Sequence, residues 1–138
     1  MDQNALVEDG DEGLIRILEA FASRGLNYTG IYLIALISNE GAVDNVIRLI
    51  SASDLPNQNR DMIYELVRLR RDNKLPWVDT KVRFSVVSES DMEAARLIDY
   101  VQQLGKVPTI IRDSMWKGLF IEYALVAKIP QSDFAVTG

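Results

Sequence analysis

The sequence predicts an α+β fold, in which helices cover a mainly antiparallel sheet of three to four strands. Three observations lead to this prediction. Several segments repeat apolar residues every three to four positions, which is typical of helices with one buried side. Short runs such as FSVVS and LFIEYALVAKI are rich in residues that favour strands. The length of 138 residues suits one hydrophobic core, so we expect a single domain over 1–138.

The first part of the chain is predicted to be rich in helix, over residues 12–74, after an acidic tail at 1–11 without an apolar period. Residues 12–25 form the first amphipathic helix, with one apolar side made by Leu14, Ile17, Leu18 and Phe21. The run GIYLIALI at 30–37 has no polar side. It fits a strand or a short buried helix, and its β-branched and aromatic residues favour the strand.

Two further helices complete this helix-rich part. Residues 42–50 do not alternate like a strand, and helical spacing relates Val43, Val46, Ile47 and Ile50. Residues 60–73 form the clearest helix, with a buried stripe of Met62, Ile63, Leu66 and Leu69. Asn57 or Asn59 is placed to cap its start.

The second part, residues 79–130, is predicted to be a β-α-β-β unit. Its strands are expected at 82–88, 107–112 and 119–129, with DSMWKG as the turn between the last two. The helix follows the first of these strands. Ser90 and Glu93 match the S-x-x-E capping box at its start, and Gly105 suits its end.

Composition excludes several classes of chemistry. The chain has no cysteine and no histidine, which excludes thiolate nucleophiles, serine triads, zinc fingers and histidine metal centres. We therefore expect no cofactor, no metal site and no catalytic residue of these types. The net charge of −5 disfavours broad coating by nucleic acid. Neither a signal peptide nor an apolar run of membrane-spanning length is visible, so a cytoplasmic protein without membrane contact is expected.

One helix carries the best candidate binding residues. Helical spacing places Arg60, Tyr64, Arg68 and Arg71 along one side of the helix at 60–73. In an acidic chain, this concentration of arginine suits an acidic protein partner, or an RNA backbone with Tyr64 as a stacking surface. The alternative is a solvated surface with Glu65–Arg68 and Arg68–Asp72 ion pairs.

Trp116 is the second candidate for partner contact, because tryptophan is enriched at binding hot spots. The alternative is that its ring folds back on the core. Glu89, Asp91, Glu122 and Tyr123 are the best candidates for a carboxylate-based enzyme or a small-ligand site. No spacing among them marks an acid–base pair, so structural roles are the simpler interpretation.

The last 60 or so residues, from LRRDNKLPWVD to YALVAKIP, resemble the regulator of ribonuclease activity B-like family, which has a ferredoxin-like half-fold. The resemblance lies in the order strand, S-E-S-D-M-E-A-A-R helix start, L-G helix end, strand, tryptophan-containing turn and final strand ending in I-P. The family's founding member inhibits an RNA-degrading enzyme by binding it. The resemblance therefore implies a protein-binding role and no catalytic residue.

We therefore expect a small non-enzymatic interaction or regulatory module, similar to an inhibitor or immunity protein, that binds a protein partner. RNA binding through the arginines and a carboxylate-based enzyme remain the alternatives. A homodimer formed through an unpaired strand edge is also consistent with the predicted sheet.

Overall fold

A computed structural model describes residues 10–52, 57–74 and 82–130. Along the described chain the elements are α1 (Gly10–Ala22), β1 (Gly30–Ile37), β2 (Val43–Ser51), α2 (Gln58–Arg71), β3 (Arg83–Ser88), α3 (Met92–Leu104), β4 (Thr109–Trp116) and β5 (Leu119–Lys128). The predicted tail lies outside the described residues, except for its last two positions, which begin α1. Within the described ranges, every helix is too short or too polar to cross a membrane.

The five strands form one mixed sheet in the order β3-β2-β1-β5-β4. Only β2 and β3 pair in parallel, and the other three neighbouring pairs are antiparallel. The predicted α+β class and the mostly antiparallel sheet are therefore confirmed. The prediction of three to four strands is wrong, because the described sheet has five.

The central strand β1 is buried on both sides of the sheet, which explains why its sequence has no polar side. Ile31 and Leu33 lie in one core cluster, which α1 and α2 cover. Tyr32 and Ile34 lie in a second cluster, which α3 covers. Successive side chains of a strand point to opposite faces, so two helical layers are needed to bury this strand completely.

Residues 42–50 were predicted to be helical, and this prediction is wrong. Residues 43–50 lie in β2, which pairs with β1 in continuous register from Gly30 opposite Ile50 to Ile37 opposite Val43. Apolar residues at both odd and even positions reflect burial on two faces rather than one helical side. The predicted helix-rich part therefore contains two helices and two strands.

The helix α2 follows its prediction closely at the backbone and less closely on its buried side. Met62, Leu66 and Leu69 are buried as expected, whereas Ile63 is 54% exposed. The helix contacts β3 and α1 along one side only, so its buried stripe is narrow. Asn57 occupies the predicted N-cap position, but its side chain makes no capping hydrogen bond. Asn59 lies within the helix, and its side chain accepts a hydrogen bond from the backbone N–H of Val86 at 2.9 Å.

The start of α3 differs from the predicted capping box. Asp91 is the N-cap, and its carboxylate accepts a hydrogen bond from the backbone N–H of Ala94 at 3.2 Å. The carboxylate of Glu93 makes contacts across to the sheet instead of capping the helix. Gly105 ends the helix with φ of 72°, as predicted, because glycine adopts this left-handed conformation without a steric penalty.

The β4–β5 hairpin is longer than the sequence predicted, because most of DSMWKG lies in β4. The actual turn consists of Lys117 and Gly118, with φ values of 48° and 87°. Positive φ at both positions suits a two-residue hairpin turn. Asp113 also has a positive φ of 46°. Near Asp113 the alternation of side chains between the two sheet faces is interrupted in both strands. Leu119 and Ile121 therefore lie on the α3 side of the sheet, whereas Leu125 lies on the α1–α2 side.

The close approach of β1 to the end of β5 yields a first prediction. A Cβ atom at Gly30 would lie 2.6 Å from the carbonyl oxygen of Lys128 and 2.9 Å from Cδ1 of Ile50. We expect Gly30→Ala to lower the free energy of unfolding by about 1–3 kcal/mol, since overpacking forces neighbouring groups to shift. Urea titration followed by circular dichroism measures this change.

A double variant separates the two contacts. Gly30→Ala combined with Ile50→Val removes the side-chain contact and leaves the backbone contact. We therefore expect the double variant to be no more stable than Gly30→Ala alone. Full recovery in the double variant would show that the backbone carbonyl is not the obstacle.

Candidate functional site

The outward side of α2 brings together the four predicted binding residues of this helix. Arg60, Tyr64, Arg68 and Arg71 are all exposed, and Tyr64 retains 61% of its accessible surface. Their positions on one side of the helix follow from its period of 3.6 residues. The predicted placement of these four residues is therefore confirmed.

Two aliphatic residues lie among these polar side chains. Ile63 is 54% exposed and Val67 is 60% exposed, and they are one helical turn apart. Sequence reasoning assigned Ile63 to the core and did not single out Val67. The shared spacing of the two residues was the signal that could have identified this apolar stripe. We call the six residues together the α2 outer face, namely Arg60, Ile63, Tyr64, Val67, Arg68 and Arg71.

The arginines of this face make short-range contacts that leave them accessible. Arg68 donates to the carboxylate of Glu65 at 3.2 Å, as predicted from their spacing, yet its side chain stays 54% exposed. The predicted Arg68–Asp72 pair does not form. Asp72 instead accepts a hydrogen bond from Arg24 at 2.9 Å and lies 3.5 Å from Arg71. The hydrogen bond from Arg24, with a contribution from Arg71, lowers the pKa of Asp72.

The charge of α2 opposes the charge of the rest of the chain. The helix Gln58–Arg71 contains four arginines and two acidic residues, which gives it a net charge of +2. The whole chain carries −5, so the remaining residues together carry −7. A basic helix on an acidic protein concentrates positive potential at one surface.

Trp116 lies far from this surface in the fold. Its ring packs edge-on against Tyr100 of α3, with ring centroids 5.1 Å apart, and its indole N–H donates to Asp99 at 3.0 Å. The ion pair with Lys117 and the hydrogen bond from Trp116 lower the pKa of Asp99. These contacts place Trp116 on the α3 side of the sheet, whereas α2 covers the opposite side.

A polar network lies between α3 and the sheet. The hydroxyl of Tyr32 donates to Glu93 at 2.5 Å, and Nε of Arg48 donates to the same carboxylate oxygen at 3.0 Å. Arg48 also donates to the hydroxyl of Ser85 at 2.8 Å. The network therefore joins β1, β2 and β3 to the first turn of α3.

The geometry of this network is unsuited to proton transfer. Tyr32 is fully buried, and burial together with the Glu93 carboxylate raises the pKa of its phenol far above the ordinary value. A buried phenol that resists ionisation is a poor general base, and a substrate could not reach its oxygen. The hydrogen bonds from Tyr32 and Arg48 to Glu93 hold the start of α3 on the sheet.

The four residues proposed for carboxylate chemistry do not assemble into one site. Glu89 accepts a hydrogen bond from Thr29 at the start of β1, and Asp91 caps α3. Tyr123 pairs with Ala35 near the other end of β1, about 20 Å from Thr29 at roughly 3.3 Å per residue. Its hydroxyl is buried, and burial raises its pKa. Glu122, next to Tyr123, is exposed.

One shallow pocket of about 280 Å³ lies beside α3. Its lining residues are Glu89, Ala95, Ile98, Asp99, Gln102 and Pro130. Asp99 is already paired with Lys117 and Trp116, and Glu89 with Thr29. Among the residues that the structure describes, no group of three or more acidic, histidine or cysteine side chains could hold a metal ion.

Comparison with known proteins adds no relative: no family model, no curated protein and no solved structure matches this chain. The resemblance of the last 60 residues to the regulator of ribonuclease activity B-like family therefore stays a prediction.

The polar network yields a second prediction. We expect Tyr32→Phe to lower the free energy of unfolding by about 2 kcal/mol at neutral pH, because a hydrogen bond to a charged acceptor is lost. The same variant should also change the alkaline behaviour. The unfolded chain releases the phenol proton near pH 10 while the folded protein retains it, so wild-type stability falls as the pH rises above about 10.

Urea titrations between pH 8 and pH 11 measure this dependence. Tyr32→Phe should lose less stability over that range than the wild type. Tyr64→Phe is the matched control, because its ring is exposed and it should keep the wild-type pH dependence. If Tyr32→Phe lost as much stability between pH 8 and pH 11 as the wild type, the alkaline loss of stability would not be due to the Tyr32 phenol.

Proposed function

We propose that this chain is a small cytoplasmic interaction or regulatory module, similar to an inhibitor or immunity protein, that acts without catalysis by binding a protein partner through the α2 outer face. One observation carries the proposal. Ile63, Tyr64 and Val67 are each more than half exposed on a helix whose remaining outward side chains are mostly arginine. Exposed aliphatic and aromatic residues beside arginines are typical of the anchors of protein interfaces.

The apolar stripe favours a protein partner over RNA. Arginines and Tyr64 would suit phosphates and a stacked base, but an RNA backbone offers no apolar surface to cover Ile63 and Val67. The charge of −7 on the rest of the chain also repels a polyanion that extends beyond the helix. A protein surface with carboxylates around an apolar centre complements both features.

The resemblance to the regulator of ribonuclease activity B-like family agrees with this proposal, since its founding member acts by binding an enzyme. Trp116 remains a separate prediction as an interface anchor, because a partner bound to α2 alone does not reach the α3 side of the sheet. Within the described ranges, no contact favours the enzyme alternative: Glu89 accepts a hydrogen bond from Thr29, Asp91 caps α3, the hydroxyl of Tyr123 is buried, and Glu122 is exposed.

Charge reversal on α2 yields a third prediction. A tagged full-length chain is used to isolate partners from the native host, with and without nuclease treatment. We expect one stoichiometric protein to survive nuclease with the wild type and to be reduced at least about tenfold with Arg68→Glu, because reversing a charge in an interface sets like charges against each other. Circular dichroism should show that the variant remains folded.

Arg16→Glu is the matched control, since Arg16 is exposed on α1 and the charge changes by the same amount. It should retain the partner. Equal loss from both variants would indicate nonspecific attraction to the chain, and full retention by Arg68→Glu would exclude the α2 outer face. A partner that is lost after nuclease treatment would indicate that the α2 outer face binds RNA instead of a protein.

A further inference from the structure

The exposed residues of α2 form a continuous row along the helix axis. Arg60, Ile63, Val67 and Arg71 follow one another at spacings of three and four residues, and Tyr64 lies beside the row. At 1.5 Å per residue, the row extends about 16 Å from Arg60 to Arg71. Its centre is apolar and its two ends are cationic.

The shape of this surface suits another helix. The side chains of α2 form ridges one turn apart, and a second helix can insert its own ridges into the grooves between them. An extended peptide would lack its main source of affinity, because the backbone N–H and C=O groups within a helix are already paired. The spacing of three and four residues is also the repeat by which two helices pack side by side.

The charge of the surface determines which helix fits. Arg60 and Arg71 end the row, and Arg68 lies along one side of it, where it pairs with Glu65 and is 54% exposed. Surface pairs of this kind contribute little to stability, so Arg68 is free to exchange Glu65 for a partner carboxylate. A second copy of α2 would set arginine against arginine, which makes self-pairing through this face unfavourable.

We propose that the α2 outer face binds one amphipathic helix of the protein partner, whose apolar stripe covers Ile63 and Val67 and whose flanking residues are Asp or Glu. This inference rests on the proposed function and adds the class of partner segment. Three apolar side chains on one helix make a small interface, so the complex is expected to be transient and sensitive to salt.

Site-specific cross-linking tests the inference in the full chain. Benzoylphenylalanine is introduced at Val67 and, as the control, at Gln103, which is exposed on α3. After irradiation in native host cells, the cross-linked peptides are sequenced by mass spectrometry. We expect Val67 alone to capture a defined segment with apolar residues every three to four positions and acidic residues beside them.

A synthetic peptide of the captured segment is then titrated into the wild type and the variants by fluorescence anisotropy. The peptide should gain helical circular dichroism on binding. Its affinity should fall about tenfold or more in Arg68→Glu, and replacing a flanking acid of the peptide by arginine should restore binding to that variant. Arg16→Glu should bind like the wild type.

Failure of this inference can be distinguished from failure of the proposed function. A captured segment that binds as an extended chain, or that lacks acidic residues, would overturn the helix inference and leave a protein-binding face. Capture of nucleic acid, or equal capture at Val67 and Gln103, would overturn the proposed function itself.

Discussion

Burial of β1 on both of its faces is the constraint on which the rest of the structure depends. Tyr32 and Ile31 are fully buried on opposite faces of the sheet, so water is excluded from both sides of the strand. Such a strand needs a helical layer above and below it. The layers α1–α2 and α3 meet this need, and the neighbouring strands β2 and β5 pair with both edges of β1.

Two-sided burial also introduces the polar network beneath α3. A tyrosine at the centre of the sheet carries a hydroxyl that must be paired, since an unpaired buried polar group costs about 1–3 kcal/mol. Glu93 accepts that hydrogen bond, and Arg48 in turn pairs with the carboxylate. The same contacts fix the first turn of α3 over the sheet, which explains why Glu93 is unavailable for the capping box.

The helices and the β-α-β-β order could be predicted from sequence because each helix has one apolar side and each of those strands lies between loop residues. The error at 42–50 has a physical origin. Val46, Ile47, Leu49 and Ile50 are all buried, so β2 shows no alternation, and the apolar positions coincide with helical spacing. The parallel pairing of β2 with β3 brings together segments separated by α2, which local patterns do not report.

The proposed binding surface was predicted in part from the sequence, and the part that was missed depends on packing. The arginine side of α2 follows from helical period alone, whereas the exposure of Ile63 depends on how much of the helix its neighbours cover. Because the buried side chains of α2 are Met62, Leu66 and Leu69, on the side that packs against β3 and α1, two further aliphatic residues remain in water. The residues that hold α2 on the sheet and the residues proposed to bind a partner therefore lie on opposite sides of one helix. Under that proposal, substitutions on the outer face alter the partner interaction while the buried side continues to hold the helix on the sheet.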